Sequence, residues 1–150
     1  QLTQALIAFG RGEWLGVGLG NSIQKLYFLP EAHNDFVLAI IGEELGLVGV
    51  ATIILLFCLL VKTAFTIGRN AERKGAIFEA FIAYGIGLLF AGQAMMNIGV
   101  NTGLLPTKGL TLPFLSYGGA SLIMSFFMAA LLLRVQYETE CFEFESVSNA

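Results

Sequence analysis

The sequence predicts an all-α fold, a polytopic membrane helix bundle, on three observations. Of 150 residues, 56% are hydrophobic and only 13% charged, and the mean hydropathy is +0.76; soluble domains carry about 25% charged residues. Three apolar runs each approach the ~20 residues that ~30 Å of hydrocarbon requires. Small residues recur at helix-contact spacing, as Gly42 and Gly46 and as "SYGGAS" at 116–121, and such faces let helix backbones approach in lipid. A net charge of −3 makes no case for nucleic acid. Cys58 lies in an apolar run and Cys141 in a polar tail, so neither a disulfide framework nor a metal motif is indicated. The chain starts at Gln1 with no charged region before a cleavage site, which is expected of a piece of a longer membrane protein.

Residues 1–43 read as a large amphipathic outer loop. "LTQALIAF" puts Leu2, Leu6 and Phe9 on one side of a short surface helix, and glycines 10, 12, 16, 18 and 20 then make a pliant segment. Pro30 stops any preceding helix and Asn34 is a good N-cap. From Asp35 the apolar pattern runs to Ile67 as one helix of roughly 50 Å, longer than the hydrocarbon is thick, so its first turns stand at the outer surface or line a cavity. Within it the first span covers 45–67, with Lys62 able to snorkel from its end. The second span, 80–100, has no charge; the third, 114–133, stops at Arg134. The tail 135–150 carries Glu138, Glu140, Glu143 and Glu145 and no basic residue, the pattern of a disordered, solvated end.

Arg69, Arg73 and Lys74 fill the first link and Arg134 closes the third span. The positive-inside rule places these in the cytoplasm, and residues 1–43 and 101–113 outside.

Titratable groups concentrate at that outer mouth: Glu31, His33, Asp35, Glu43 and Glu44. Asp35 suits either a dipole-favoured helix start or a general base. At least one of Glu43 and Glu44 reads as a first-turn acid. His33 reads as a hydrogen-bonding residue, there being no second His to share a metal, and a Mg2+ or Mn2+ ion near Glu31 and Asp35 is only weakly signalled. Lys108, between Pro106 and Pro113, suits lipid headgroups or a positioned cation for a phosphate-bearing ligand. Carboxylates on one loop and a constrained Lys on another suggest a site for an amphiphile with a phosphate group.

"GLGNSIQKLYFLPEAHNDFVLAIIGEELGLVG" and "GLLPTKGLTLPFLSYGGASL" closely resemble the C-terminal part of the SEDS family, the bacterial FtsW and RodA proteins, over residues 1 to roughly 139. The "PTKGLTLP" form resembles the cell-division branch more than the elongation branch. Asn34 stands where the family has Thr, and Ala120 where a second Ser is common. The resemblance implies an inner-membrane protein of about ten spans, of which this chain supplies the last three and would be inactive alone. It implies an inverting glycosyltransferase at the division septum that polymerises lipid II into glycan strands. A class B penicillin-binding protein and other division proteins would be its partners, with membrane lipids around it. The family's reactive Asp falls on Asp35, as base for the attacking sugar hydroxyl. Lys108 is a candidate for the departing pyrophosphate, in competition with Arg11, Lys25 or a divalent cation. A lipid II flippase and a scaffold that recruits division proteins are the rival readings.

Overall fold

The computed structural model describes residues 2–18, 37–105 and 111–148. These form four helices: α1 (Leu2–Gly12), α2 (Val37–Arg73), α3 (Ile77–Asn101) and α4 (Gly119–Ser148). The last three are long and apolar enough to cross a membrane.

The turns between them follow from local chemistry. At the end of α2, Gly75 takes φ 81°; its N–H donates to the Glu72 carbonyl and that of Ala76 to the Ala71 carbonyl. Gly103 (φ 79°) ends α3 in the same way, with Gly103 N–H on Val100 and Leu104 N–H on Gly99. Both are the double hydrogen-bonded stop that a glycine permits, and they satisfy carbonyls a helix end would leave bare. Arg73 and Lys74 then place positive charge at the negative end of α2.

α2 and α3 pack along small residues. A Cβ on Gly68 would stand 2.6 Å from the Tyr84 ring, and one on Gly87 3.1 Å from the Cβ of Ala64. Ala64, Ala83 and Phe90 are fully buried and Ile67 and Ile86 nearly so, with Leu132 and Val135 of α4 closing the same core. Ala64 and Gly68 supply one close approach, and the Gly42–Gly46 pair supplies another, as expected, against the backbone of α1 and the turn behind it, as described below. In "SYGGAS", Ser116 is buried in a turn, whereas Tyr117, Gly119 and Ala120 are exposed.

Two lengths differ from expectation. α4 begins at Gly119 rather than 114, because residues 113–118 form a turn in which Phe114 has φ 64°. The tail expected to be disordered is helical to Ser148. It continues the α4 hydrogen-bond ladder, which lacks any Gly or Pro to stop it. Lys74 Nζ donates to the Thr139 carbonyl at 3.0 Å, tying the α2–α3 turn to this extension.

Large apolar side chains remain exposed along all three long helices, among them Leu55, Leu59, Phe81, Leu88, Ile123 and Phe127. Hydroxyls there are satisfied within their own helix: Thr52, Thr63 and Thr66 each donate to the carbonyl four residues back at 2.8 Å. An apolar exterior with internally bonded polar groups is what a lipid solvent demands.

Candidate functional site

α2 is not one helix. At Gly46 the backbone turns to φ 67°, ψ −163°, a region open in practice only to glycine. This divides α2 into a short half, 37–45, of about 14 Å and a long half, 47–73, of about 40 Å. The uninterrupted helix expected from Asp35 to Ile67 is thereby corrected. The apolar pattern passes through Gly46 unchanged, and the cause of the break lies elsewhere in the chain.

That cause is the segment Glu13–Gly18, which follows α1. Val17 N–H donates to the Glu43 carbonyl at 2.9 Å and Gly18 N–H to the Glu44 carbonyl at 3.1 Å. In the other direction Leu47 N–H donates to the Glu13 carbonyl at 3.0 Å and Val48 N–H to the Trp14 carbonyl at 3.4 Å. The clip therefore satisfies carbonyls at the end of the short half and amides at the start of the long half. These dipole ends are occupied by protein main chain, so the amides of Leu47 and Val48 are not an anion site.

Glycines make the approach possible. A Cβ on Gly12 would collide with the Gly42 carbonyl, and one on Gly16 with the Glu44 carbonyl. The glycine-rich segment expected to be pliant is thus a fixed part of the fold as far as Gly18.

Beside the clip, Arg11 Nη1 lies 3.7 Å from Glu43 Oε1; the Arg side chain is 43% exposed and the Glu side chain 0%. A carboxylate taken wholly out of water needs a compensating charge. Glu44 is half-buried, and among the described residues its Oε1 is enclosed without a hydrogen bond. Of the candidate residues, the structure brings these three together: Arg11, Glu43 and Glu44. Glu43 is a buried ion-pair partner rather than a solvated first-turn acid. Lys25, Glu31, His33, Asp35 and Lys108 lie outside the described residues. Among the described residues no three His, Cys, Asp or Glu side chains converge as metal ligands.

The same end of the bundle gathers polar groups that sequence reading did not single out. Asn97 and Asn101 are buried in the last turns of α3, and Asn101 Nδ2 donates to the Asn97 carbonyl at 2.9 Å and to its Oδ1 at 3.1 Å. Their signal was a pair of carboxamides, i and i+4, near the end of a mostly apolar span. Leu112 packs on Leu38 and Ala94. Its N–H donates to Ser116 Oγ at 2.7 Å, while Ser116 N–H returns to the Leu112 carbonyl at 3.0 Å. This pins the loop after residues 106–110 onto the start of α2 and the end of α3.

Spanning helices, one of them broken and clamped by a re-entering segment, define a multi-pass helical membrane protein with buried Glu43, Asn97, Asn101 and Ser116 toward the clamped end. Comparison with known proteins narrows the class. The model of the FtsW/RodA/SpoVE family, described as cell cycle proteins, matches residues 1–141, and the chain belongs to this family. It is 64% identical over 138 residues to the probable peptidoglycan glycosyltransferase FtsW of Hahella chejuensis, covering 92% of this chain and 35% of that protein. It is 58% identical over 139 residues to the protein of the same name from Pseudomonas fluorescens, covering 93% and 34%. Among solved structures it is similar to a chain reported under the words "Structural coordination of polymerization and crosslinking by a peptidoglycan synthase complex". That similarity has a TM-score of 0.69 at 28% identity and covers 91% of this chain and 37% of that one. The chain thus spans about a third of the length of the relatives it matches.

Proposed function

We propose that the chain is part of a peptidoglycan glycosyltransferase that polymerises lipid II into glycan strands during septal wall synthesis. The observation that carries this reading is the identity of about 60% with proteins named as probable peptidoglycan glycosyltransferases, sustained over nine-tenths of the chain. In the proposed reaction the GlcNAc 4-hydroxyl oxygen attacks the MurNAc anomeric carbon. The bond from that carbon to the pyrophosphate oxygen breaks with inversion, and undecaprenyl pyrophosphate leaves with the electron pair. Asp35 takes the hydroxyl proton as general base, and Lys108 offers positive charge to the pyrophosphate. In the sequence Asp35 precedes the first residue of α2 by two positions. Glu31, His33 and Lys25 are offered as substrate-binding residues of the same loop, and Glu44 as an acceptor for a sugar hydroxyl.

The α1 end of the bundle is assigned to the periplasm and the Lys74 end to the cytoplasm, in the inner membrane at the septum. A class B penicillin-binding protein is the proposed partner, since the similar solved chain comes from a complex that couples polymerization to crosslinking.

The test is polymerisation of supplied lipid II by the full-length protein with that partner in proteoliposomes. Asp35→Asn keeps size and capping ability, so it is expected to insert and bind the partner normally yet make no glycan strands. Wild-type-like strands from this variant reject Asp35 as the base. Lipid II movement without any strands from the wild type would favour a flippase.

A further inference from the structure

A bulky residue at positive φ is a backbone outlier, and it persists only where the surrounding structure over-determines it. Phe114, at φ 64°, is one. Its ring centre stands 5.6 Å from that of Phe90 and 5.5 Å, edge-on, from that of Phe126. Pro113 beside it is buried, and the reciprocal hydrogen bonds of Leu112 and Ser116 close the turn around both.

The strained turn makes one wall of a groove. Residues 113–115 stand across from Ile53, Leu56, Phe57 and Leu60 of α2, around a space of about 220 Å3, and every described residue lining it is apolar. At 1.5 Å per residue, Ile53 and Leu60 lie about 9 and 20 Å along α2 from Leu47. In a spanning orientation the groove therefore runs from the clip side to just past the middle of ~30 Å of hydrocarbon. Ile53 and Phe57 also pack against the contact of Leu38 with Leu112. One side of the groove thus adjoins the first turn of α2 and the turn that follows residues 106–110.

We propose that this groove seats part of the polyisoprenoid chain of the lipid substrate. The assignment rests on the polymerase reading, whose substrate carries such a chain. The girth of the groove favours a chain over a helix: about 220 Å3 spread over roughly 11 Å of α2 leaves a cross-section of about 20 Å2, several times less than a helix ~10 Å across. Composition favours an isoprenoid over an acyl chain. Lipid tails are as apolar as leucine, so an occupant gains nothing by leaving the bilayer except better packing. Straight acyl chains already pack well on one another. A chain with a methyl branch and a double bond in every unit does not, and two phenyl rings with Ile and Leu side chains offer it closer contact.

The test uses the full-length protein with its penicillin-binding partner in nanodiscs. One probe is undecaprenyl pyrophosphate with a diazirine in an isoprene unit near the pyrophosphate; the other is phosphatidylglycerol with a diazirine in an acyl chain. The isoprenoid probe is expected to label peptides covering 53–60 and 113–115, and excess unlabelled undecaprenyl pyrophosphate to suppress that labelling at least about tenfold. Labelling by the acyl probe should be weaker and unaffected by this competitor. Leu56→Trp, which fills the groove, should abolish isoprenoid labelling, whereas Leu55→Trp, at an exposed position that does not line it, should leave it intact. In lipid II polymerisation Leu56→Trp should raise KM about tenfold with kcat within about twofold, the signature of lost binding. Lipid II built on a straight saturated chain of equal carbon number should show the same rise with the wild type.

Equal labelling by both probes means bilayer lipid only and overturns the proposal. Labelling by neither means that protein fills the groove, which also overturns it. An unchanged KM in Leu56→Trp, or for the straight-chain substrate, shows that the groove takes no part in recognising the chain and overturns it too. If the wild type makes no strands, the polymerase reading fails, while the labelling arm still decides the groove. Should Leu56→Trp fail to insert, Leu115→Trp fills the groove from the opposite wall and carries the same comparison.

Discussion

The amide of Leu47 donates to the carbonyl of Glu13 at 3.0 Å, joining the first turn of the long half of α2 to the turn that ends α1. With Val48 on Trp14, and Val17 and Gly18 on Glu43 and Glu44, it makes a helix break that is internally complete. Such breaks persist in lipid only when neighbouring protein re-satisfies the freed backbone groups. The consequences can be measured.

Gly46 holds a conformation closed to other residues, and its missing Cβ faces Gly16 and Trp14 backbone. Gly46→Ala should lower stability by about 1–3 kcal/mol. Gly92, inside α3, sits on a regular helix, and a Cβ added there would meet nothing within 4 Å. Gly92→Ala should be neutral or gain about 0.5–1 kcal/mol. Thermal unfolding of the two variants in one detergent checks the contrast, and equal losses would contradict the role given to Gly46.

Gly68 sits under the ring of Tyr84, whose hydroxyl donates to Glu72 Oε2 at 2.8 Å. Gly68→Val should force the ring aside and cost about 1–3 kcal/mol by overpacking. Tyr84→Phe removes only an exposed hydrogen bond and should cost less than about 1 kcal/mol. Unfolding midpoints in the reverse order would show that the helices do not meet at Gly68.

Lys108 is proposed to act on the pyrophosphate through charge. Lys108→Ala should cut lipid II polymerisation by at least about tenfold while the protein stays inserted, and Lys108→Arg should retain more activity. Normal rates for the Ala variant across substrate concentrations would remove Lys108 from the site.

The proposed topology is open to direct labelling. Gly103 and Glu72 are both exposed, at opposite ends of the α2–α3 pair. With Cys58 and Cys141 replaced, a cysteine at 103 should react with an impermeant reagent added outside, and one at 72 should be spared. The opposite pattern would invert the assignment.

Much of the helical framework was legible in the residues. Hydropathy located the three long helices, because removing backbone and charge from water is a property of each segment by itself. Gly75 and Gly103, which end α2 and α3, were not singled out in the sequence, although a left-handed stop depends on one residue and its immediate neighbours. The α4 extension was misjudged: its acidic composition suggested disorder, yet nothing in 135–148 interrupts the ladder and Lys74 anchors it at Thr139.

Of the site, the sequence by itself determined an inventory: acids near the start of α2, cations at Arg11, Lys25 and Lys108, and glycines in unusual number before residue 20. Only the tertiary structure decided that Arg11 belongs to Glu43, and that those glycines are the surface on which a broken helix rests. The physical reason is range. Burial in lipid and helix capping are settled within a few residues. A break in the middle of an apolar pattern becomes stable only when distant main chain arrives to take its carbonyls and amides, and no local pattern records that arrival.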